Sequence, residues 1–139
     1  MQGISIKRCI FAEIIANTTV DMKTILVAED NESNFILMTY ILKRSYGFVR
    51  AKNGQEAIDM VEKGGIDLVL MDIKMPVKDG LEATKEIKAA HPDLPIVALT
   101  ANAFDSDRQL AFEAGCDDFL SKPVSSEKCL NTIAKYIGQ

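Results

Sequence analysis

From Thr24 onward, short apolar runs alternate with segments whose apolar residues recur at helical spacing, and the alternation repeats five times. The predicted strands are Ile25–Ala28, a weaker one at Phe48–Ala51, Leu68–Met71, Ile96–Leu99 and a short Phe119–Leu120. Runs such as I-L-V-A and L-V-L-M are apolar at successive positions, so both faces of each strand must be covered. That is the signature of parallel strands between two helical layers.

Between the strands, Phe35, Met38 and Leu42 share one helical face, as do Ala57, Ile58 and Val61, then Leu81, Thr84 and Ile87, and finally Leu130, Ile133 and Ile137. Helix starts are marked by Asn53 with Glu56 three residues on, and by Asp79 with Glu82. Each pair can satisfy free amide donors of the first turn reciprocally. Gly138 can end the last helix in the left-handed conformation. The resulting class is α/β: a doubly wound, five-stranded parallel sheet with helices on both faces (flavodoxin-like). Right-handed helical crossovers give such a three-layer sheet, for which 2-1-3-4-5 is a common strand order at this size and the one expected here.

Composition narrows the function. The 139 residues, 47% of them hydrophobic, suffice for one domain with a sizeable core. A net charge of −4 provides no basic field, which argues against direct nucleic-acid binding. Cys9, Cys116 and Cys129 have neither disulfide nor zinc spacing and are read as reduced thiols, hence a cytoplasmic protein. No apolar run reaches the roughly 18 residues that would span a membrane. Residues 1–21 lie outside the βα rhythm. Ile6, Ile10, Ile14 and Ile15 could make a turn or two of amphipathic helix before Asn17-Thr18-Thr19 breaks into polar loop chemistry, and with Glu13 interrupting the apolar stretch and no A-x-A-like cleavage site a signal peptide is not expected. Residues 1–21 are expected to be a flexible extension or remnant linker ahead of a domain at 22–139.

In an open parallel sheet, residues just past the strand ends converge on the crevice where the winding reverses. Glu29 and Asp30 follow the first strand, Asp72 the third, Thr100 the fourth, and Lys122 with Pro123 the fifth. Singly, each is a common cap or surface residue. Jointly, carboxylates about 4–6 Å apart repel by roughly 4 kcal/mol per close pair at an effective dielectric of 20, so something positive must compensate. An all-oxygen set with room for water and phosphate oxygens suits Mg²⁺. Asp72, alone at the end of the most apolar strand, is the candidate nucleophile toward phosphorus, with Glu29 and Asp30 as metal ligands. Lys122 and Thr100 are placed to hold phosphoryl oxygens. Phosphorylation would exchange a charge of −1 for about −2 and draw Thr100 and Lys122 inward.

The stretches I-L-V-A-E-D-N-E-S-N from Ile25, V-L-M-D-I-K-M-P-V-K-D-G from Val69, A-L-T-A-N-A from Ala98 and D-D-F-L-S-K-P from Asp117 together resemble the response-regulator receiver domain of two-component signalling. The wording is most similar to receivers fused to hybrid sensor kinases. The resemblance implies Asp72 as phosphoacceptor, Mg²⁺ held by Glu29, Asp30, Asp72 and the backbone carbonyl of Lys74, and Thr100 with Phe119 as the switch pair. It also implies a cis Lys122–Pro123 peptide, and Lys74 and Asn102 as flanking residues that influence hydrolysis.

The implied partner is a sensor histidine kinase or phosphotransfer domain. Output passes through surface contact, to another protein or a second copy, at the last two βα units: the Phe104–Phe112 region, Phe119 and the final helix. The chain is then a self-catalysing phosphoacceptor that also loses the group by its own hydrolysis, not a turnover enzyme. A receiver-like interaction module that is never phosphorylated is the alternative, although neither an acid nor the lysine is missing. A dehalogenase-like phosphatase would need a second acid where Lys74 stands. Nucleotide binding would need a glycine-rich loop where Glu29-Asp30-Asn31-Glu32 stands. His91, the single histidine, precedes Pro92 at a helix end and cannot serve as a phosphohistidine carrier.

Overall fold

The computed structural model describes residues 22–101 and 105–138. Within them the elements run β1 (Thr24–Ala28), α1 (Glu32–Leu42), β2 (Gly47–Ala51), α2 (Gly54–Lys63), β3 (Leu68–Asp72), α3 (Gly80–Ala90), β4 (Ile96–Thr100), α4 (Asp105–Ala114), β5 (Asp118–Ser121) and α5 (Ser126–Ile137). All neighbouring strands pair in parallel, in the order β2-β1-β3-β4-β5. The predicted extension 1–21, Asn102 and Phe104 lie outside the described residues.

The double-sided strands divide their side chains by the two-residue period of extended backbone. Ile25 and Val27 of β1, Leu68 and Leu70 of β3 and Val97 and Leu99 of β4 join Met38, Ile41 and Leu42 of α1 and Cys129 and Ile133 of α5. The alternate residues, among them Leu26, Val69, Met71, Ile96 and Ala98, pack against Ala57 and Val61 of α2, Ala83 and Ile87 of α3 and Ala111 of α4. The sheet therefore sits between α1 and α5 on one side and α2, α3 and α4 on the other.

The cap residue of each predicted pair takes up its amide. Asn53 accepts from the Glu56 amide and Asp79 from the Glu82 amide. The Glu56 carboxylate, however, returns to the amide of Lys52, not to that of Asn53. It thereby ties the loop after β2 to the first turn of α2. Gly138 ends α5 with φ 73°, and His91 caps α3 ahead of Pro92.

Gly80 governs how closely α3 approaches β3. A β-carbon there would lie 2.2 Å from the carbonyl oxygen of Asp72 and 2.7 Å from the α-carbon of Ile73. Only glycine lets the start of α3 seat against the end of β3, where its amide donates to the Ile73 carbonyl.

Candidate functional site

Parallel register brings the strand ends to one edge: Ala28 lies beside Met71, Asp72 beside Leu99, and Thr100 beside Ser121. The residues that follow each strand must then meet. They form a cleft of about 220 Å³ lined by Glu29, Asp30, Asp72, Lys74, Thr100 and Lys122, together with Asn31, Asn34 and Asp107, which the sequence did not single out.

Inside it, carboxylate oxygens of Glu29, Asp30 and Asp72 all lie within 4.8 Å of one another. Glu29, Asp72 and Thr100 are buried, whereas Asp30 is exposed. The Lys122 ammonium bridges the two buried acids, 3.0 Å from Glu29 Oε1 and 3.1 Å from Asp72 Oδ2. The other oxygen of each acid is held by backbone: the Asn31 amide donates to Glu29 Oε2 at 3.2 Å and the Lys74 amide to Asp72 Oδ1 at 3.1 Å. Lys122 is itself held by its own amide, which donates to the Thr100 carbonyl at 2.8 Å, and is followed by a cis bond to Pro123.

Electrostatically the cleft carries an excess of carboxylates: Glu29, Asp30, Asp72 and Asp107 line it with Lys74 and Lys122, and the Lys122 ammonium pairs with Glu29 and Asp72. Burial, then the contact with Asp72, pushes the Glu29 carboxyl up to about 7 against the pull of Lys122. Burial works to lower the Lys122 ammonium, but Glu29 and Asp72 hold it above its ordinary value. Among the described residues, Glu29 Oε1 is buried with no hydrogen-bond partner of good geometry, and the Lys122 ammonium meets it as an ion pair at 3.0 Å. A hard divalent cation answers both features, because the donor set is entirely oxygen and one buried oxygen has capacity to spare. Glu29, Asp30 and Asp72 are the side chains that would hold it.

Phe119, on β5, stands apart from this cluster. Its ring meets Phe112 of α4 edge-to-face, centroids 6.2 Å apart, and the Arg108 guanidinium lies 5.2 Å from its centre. Sequence reasoning also overlooked Arg50 of β2, which bonds the backbone of the acidic loop. Its only signal was an arginine in a strand otherwise made of glycine and apolar residues.

Among the described residues, no helix is long and apolar enough to cross a membrane. Residues 25–134 match the response regulator receiver domain. The polar-differentiation response regulators DivK of Brucella anthropi and Brucella ovis are 37% and 36% identical over 119 residues, which cover 84% of this chain and 97% of theirs. Among solved structures, the receiver domain of the sensor histidine kinase PA1611 from Pseudomonas aeruginosa, with a magnesium ion coordinated in its active-site cleft, has a TM-score of 0.80 at 34% identity, covering 86% of this chain and 100% of that one. The receiver domain of Saccharomyces cerevisiae Ssk1, crystallised with the histidine phosphotransfer protein Ypd1, has a TM-score of 0.78 at 32% identity over 85% of this chain and 91% of that one. With its five parallel strands, its acid-lined cleft and these likenesses along most of its length, the chain belongs to the response-regulator receiver domains of two-component signalling.

Proposed function

We propose that the chain is a phosphorylation-controlled switch in which Asp72 takes a phosphoryl group from the phosphohistidine of a sensor kinase or phosphotransfer domain. The observation that carries this reading is the three-acid cluster, two of whose members, Glu29 and Asp72, are bridged by Lys122, with Asp72 buried at the end of β3 yet opening on the cleft. Glu29, Asp30 and Asp72, with the Lys74 carbonyl, are the ligands for Mg²⁺, which supplies positive charge to the oxygens of the transferred group when bound.

A carboxylate oxygen of Asp72 attacks phosphorus in line with the donor nitrogen. The new O–P bond forms as the P–N bond breaks, and the imidazole departs with its electron pair. Lys122, already 3.1 Å from Asp72, leaves that carboxylate for a phosphoryl oxygen, and the Thr100 hydroxyl hydrogen-bonds another. Water later attacks the same phosphorus, the Asp72 O–P bond breaks, inorganic phosphate leaves and the carboxylate is restored, so the chain is a self-catalysing acceptor and not a turnover enzyme. The magnesium-bearing PA1611 receiver and the Ypd1–Ssk1 pair support the choice of ion and of donor class. Output runs through the face built by α4, β5 and α5, where Phe119 of β5, the strand that leads to Lys122, packs against Phe112 of α4.

The test is mass measurement of the full chain after incubation with acetyl phosphate and Mg²⁺. Wild type gains one phosphoryl mass, while Asp72→Ala, or wild type without Mg²⁺, gains none. Equal gain in both proteins moves the acceptor elsewhere. No gain in either favours the unphosphorylated interaction module.

A further inference from the structure

The acidic loop between β1 and α1 is gripped from the neighbouring edge strand. Arg50 of β2 donates from Nε to the Glu29 carbonyl at 3.1 Å and from Nη2 to the Asp30 carbonyl at 3.3 Å, while Nη1 meets the Glu32 carboxylate at 2.8 Å. One planar fork thus holds three points on four consecutive residues, two of which are the acids of the cleft. The fork is itself immobilised. Its central carbon lies 4.4 Å from the centre of the Phe35 ring, which in turn meets Phe48 edge-to-face at 6.1 Å. The Arg50 side chain is only 15% exposed, whereas Glu32 is 69% exposed. A bond of 3.0 Å from the Glu29 amide to the Ala51 carbonyl pins the same loop to the residue after Arg50.

Arg50 occupies neither the cleft lining nor the ligand set, so any part it plays is exerted through the backbone of Glu29 and Asp30. We propose that Arg50 is a positioning residue that fixes the acidic loop and so sets how tightly the cleft holds Mg²⁺; the inference rests on the function proposed above. Ligand orientation by outer hydrogen bonds is worth about 10–100-fold in metal affinity where it has been dissected.

Two effects of the guanidinium oppose each other, and this makes the inference decidable. As a nearby cation, Arg50 repels Mg²⁺, so its removal would tighten binding. As a clamp, it holds both ligands in place, so its removal loosens binding. Glu32 neutralises the charge at 2.8 Å, which leaves the clamp as the larger effect. Lysine can supply the charge but not the fork, since an ammonium is a compact point donor with no planar array to span three acceptors.

The experiment is calorimetric titration of the full chain with Mg²⁺ alone, without a phosphodonor, for wild type, Arg50→Gln and Arg50→Lys, with circular dichroism melting to ensure that each is folded at the titration temperature. Both variants should bind Mg²⁺ about tenfold more weakly than wild type. In the acetyl phosphate reaction both should need about tenfold more Mg²⁺ for half-maximal uptake, with the rate at saturating Mg²⁺ unchanged. Wild-type affinity in Arg50→Gln, tighter binding in that variant, or full recovery by Arg50→Lys each overturns the proposal; should Arg50→Gln fail to fold, the lysine variant decides alone. If wild type itself neither binds Mg²⁺ nor gains phosphoryl mass, the proposed function has failed instead.

Discussion

The Lys122 ammonium stands 3.1 Å from Asp72 Oδ2 and, with Glu29 at 3.0 Å, occupies the position from which charge in the cleft is balanced. Lys122→Met leaves two buried carboxylates without their counter-charge. Breaking a buried ion pair by removing one partner costs about 3–5 kcal/mol, and partial protonation of Glu29 offsets some of it. We therefore expect a loss of about 2–3 kcal/mol in chelator-treated protein at pH 8, measured by urea unfolding. Millimolar Mg²⁺ should recover most of the loss. An equal loss with and without Mg²⁺ would place the lysine's contribution elsewhere.

Glu29 makes stability and metal affinity depend on pH, with a sign that follows from its direction of shift. Its carboxyl lies near 7 in the metal-free fold against 4.5 for an ordinary glutamate, so between these values the folded chain binds more protons than the unfolded one. The stabilisation is complete below pH 4.5 and is lost as pH rises through 7. Mg²⁺ must displace that proton. Its affinity should fall about tenfold per pH unit below 7, with close to one proton released at pH 6. Calorimetry in buffers of different ionisation enthalpy counts the proton, and Glu29→Gln should abolish its release.

Gly80→Ala tests the approach of α3 to the acceptor strand. With 2.2 Å to the Asp72 carbonyl oxygen, the added methyl forces backbone apart, at an expected cost of about 2–3 kcal/mol. Because the displaced peptide carries Asp72, phosphoryl uptake should also slow at temperatures where the variant is fully folded. Destabilisation without any change in uptake would show that the strand end relaxes away from the cleft.

Phe119→Ala removes the edge-to-face contact with Phe112 and the ring under Arg108. Phosphoryl uptake from acetyl phosphate should be unaltered, since Phe119 does not line the cleft. Amide exchange in α4 and β5 is expected to change on phosphorylation of wild type and to change far less in the variant. An identical response in both proteins would remove Phe119 from the path between site and surface.

Much of this chain was legible before any coordinates. Continuous apolar runs such as I-L-V-A and L-V-L-M pointed to strands covered on both faces, because a run apolar at successive positions would otherwise leave one face of side chains in water. Parallel strands in turn oblige Glu29, Asp30, Asp72, Thr100 and Lys122 to emerge at one edge. Helix starts at Asn53 and Asp79 were equally plain, since capping depends on neighbours a few residues away.

What tertiary structure alone decided involves partners distant in sequence. No spacing rule says that Lys122 meets both Glu29 and Asp72, or that burial then raises the Glu29 carboxyl; distance and desolvation arise only after the strands are paired. Nor does any local pattern join Arg50 to the carbonyls of Glu29 and Asp30, twenty or so residues earlier. Backbone acceptors carry no side-chain identity, so a contact made to them leaves no mark in the sequence until the fold brings the two segments together.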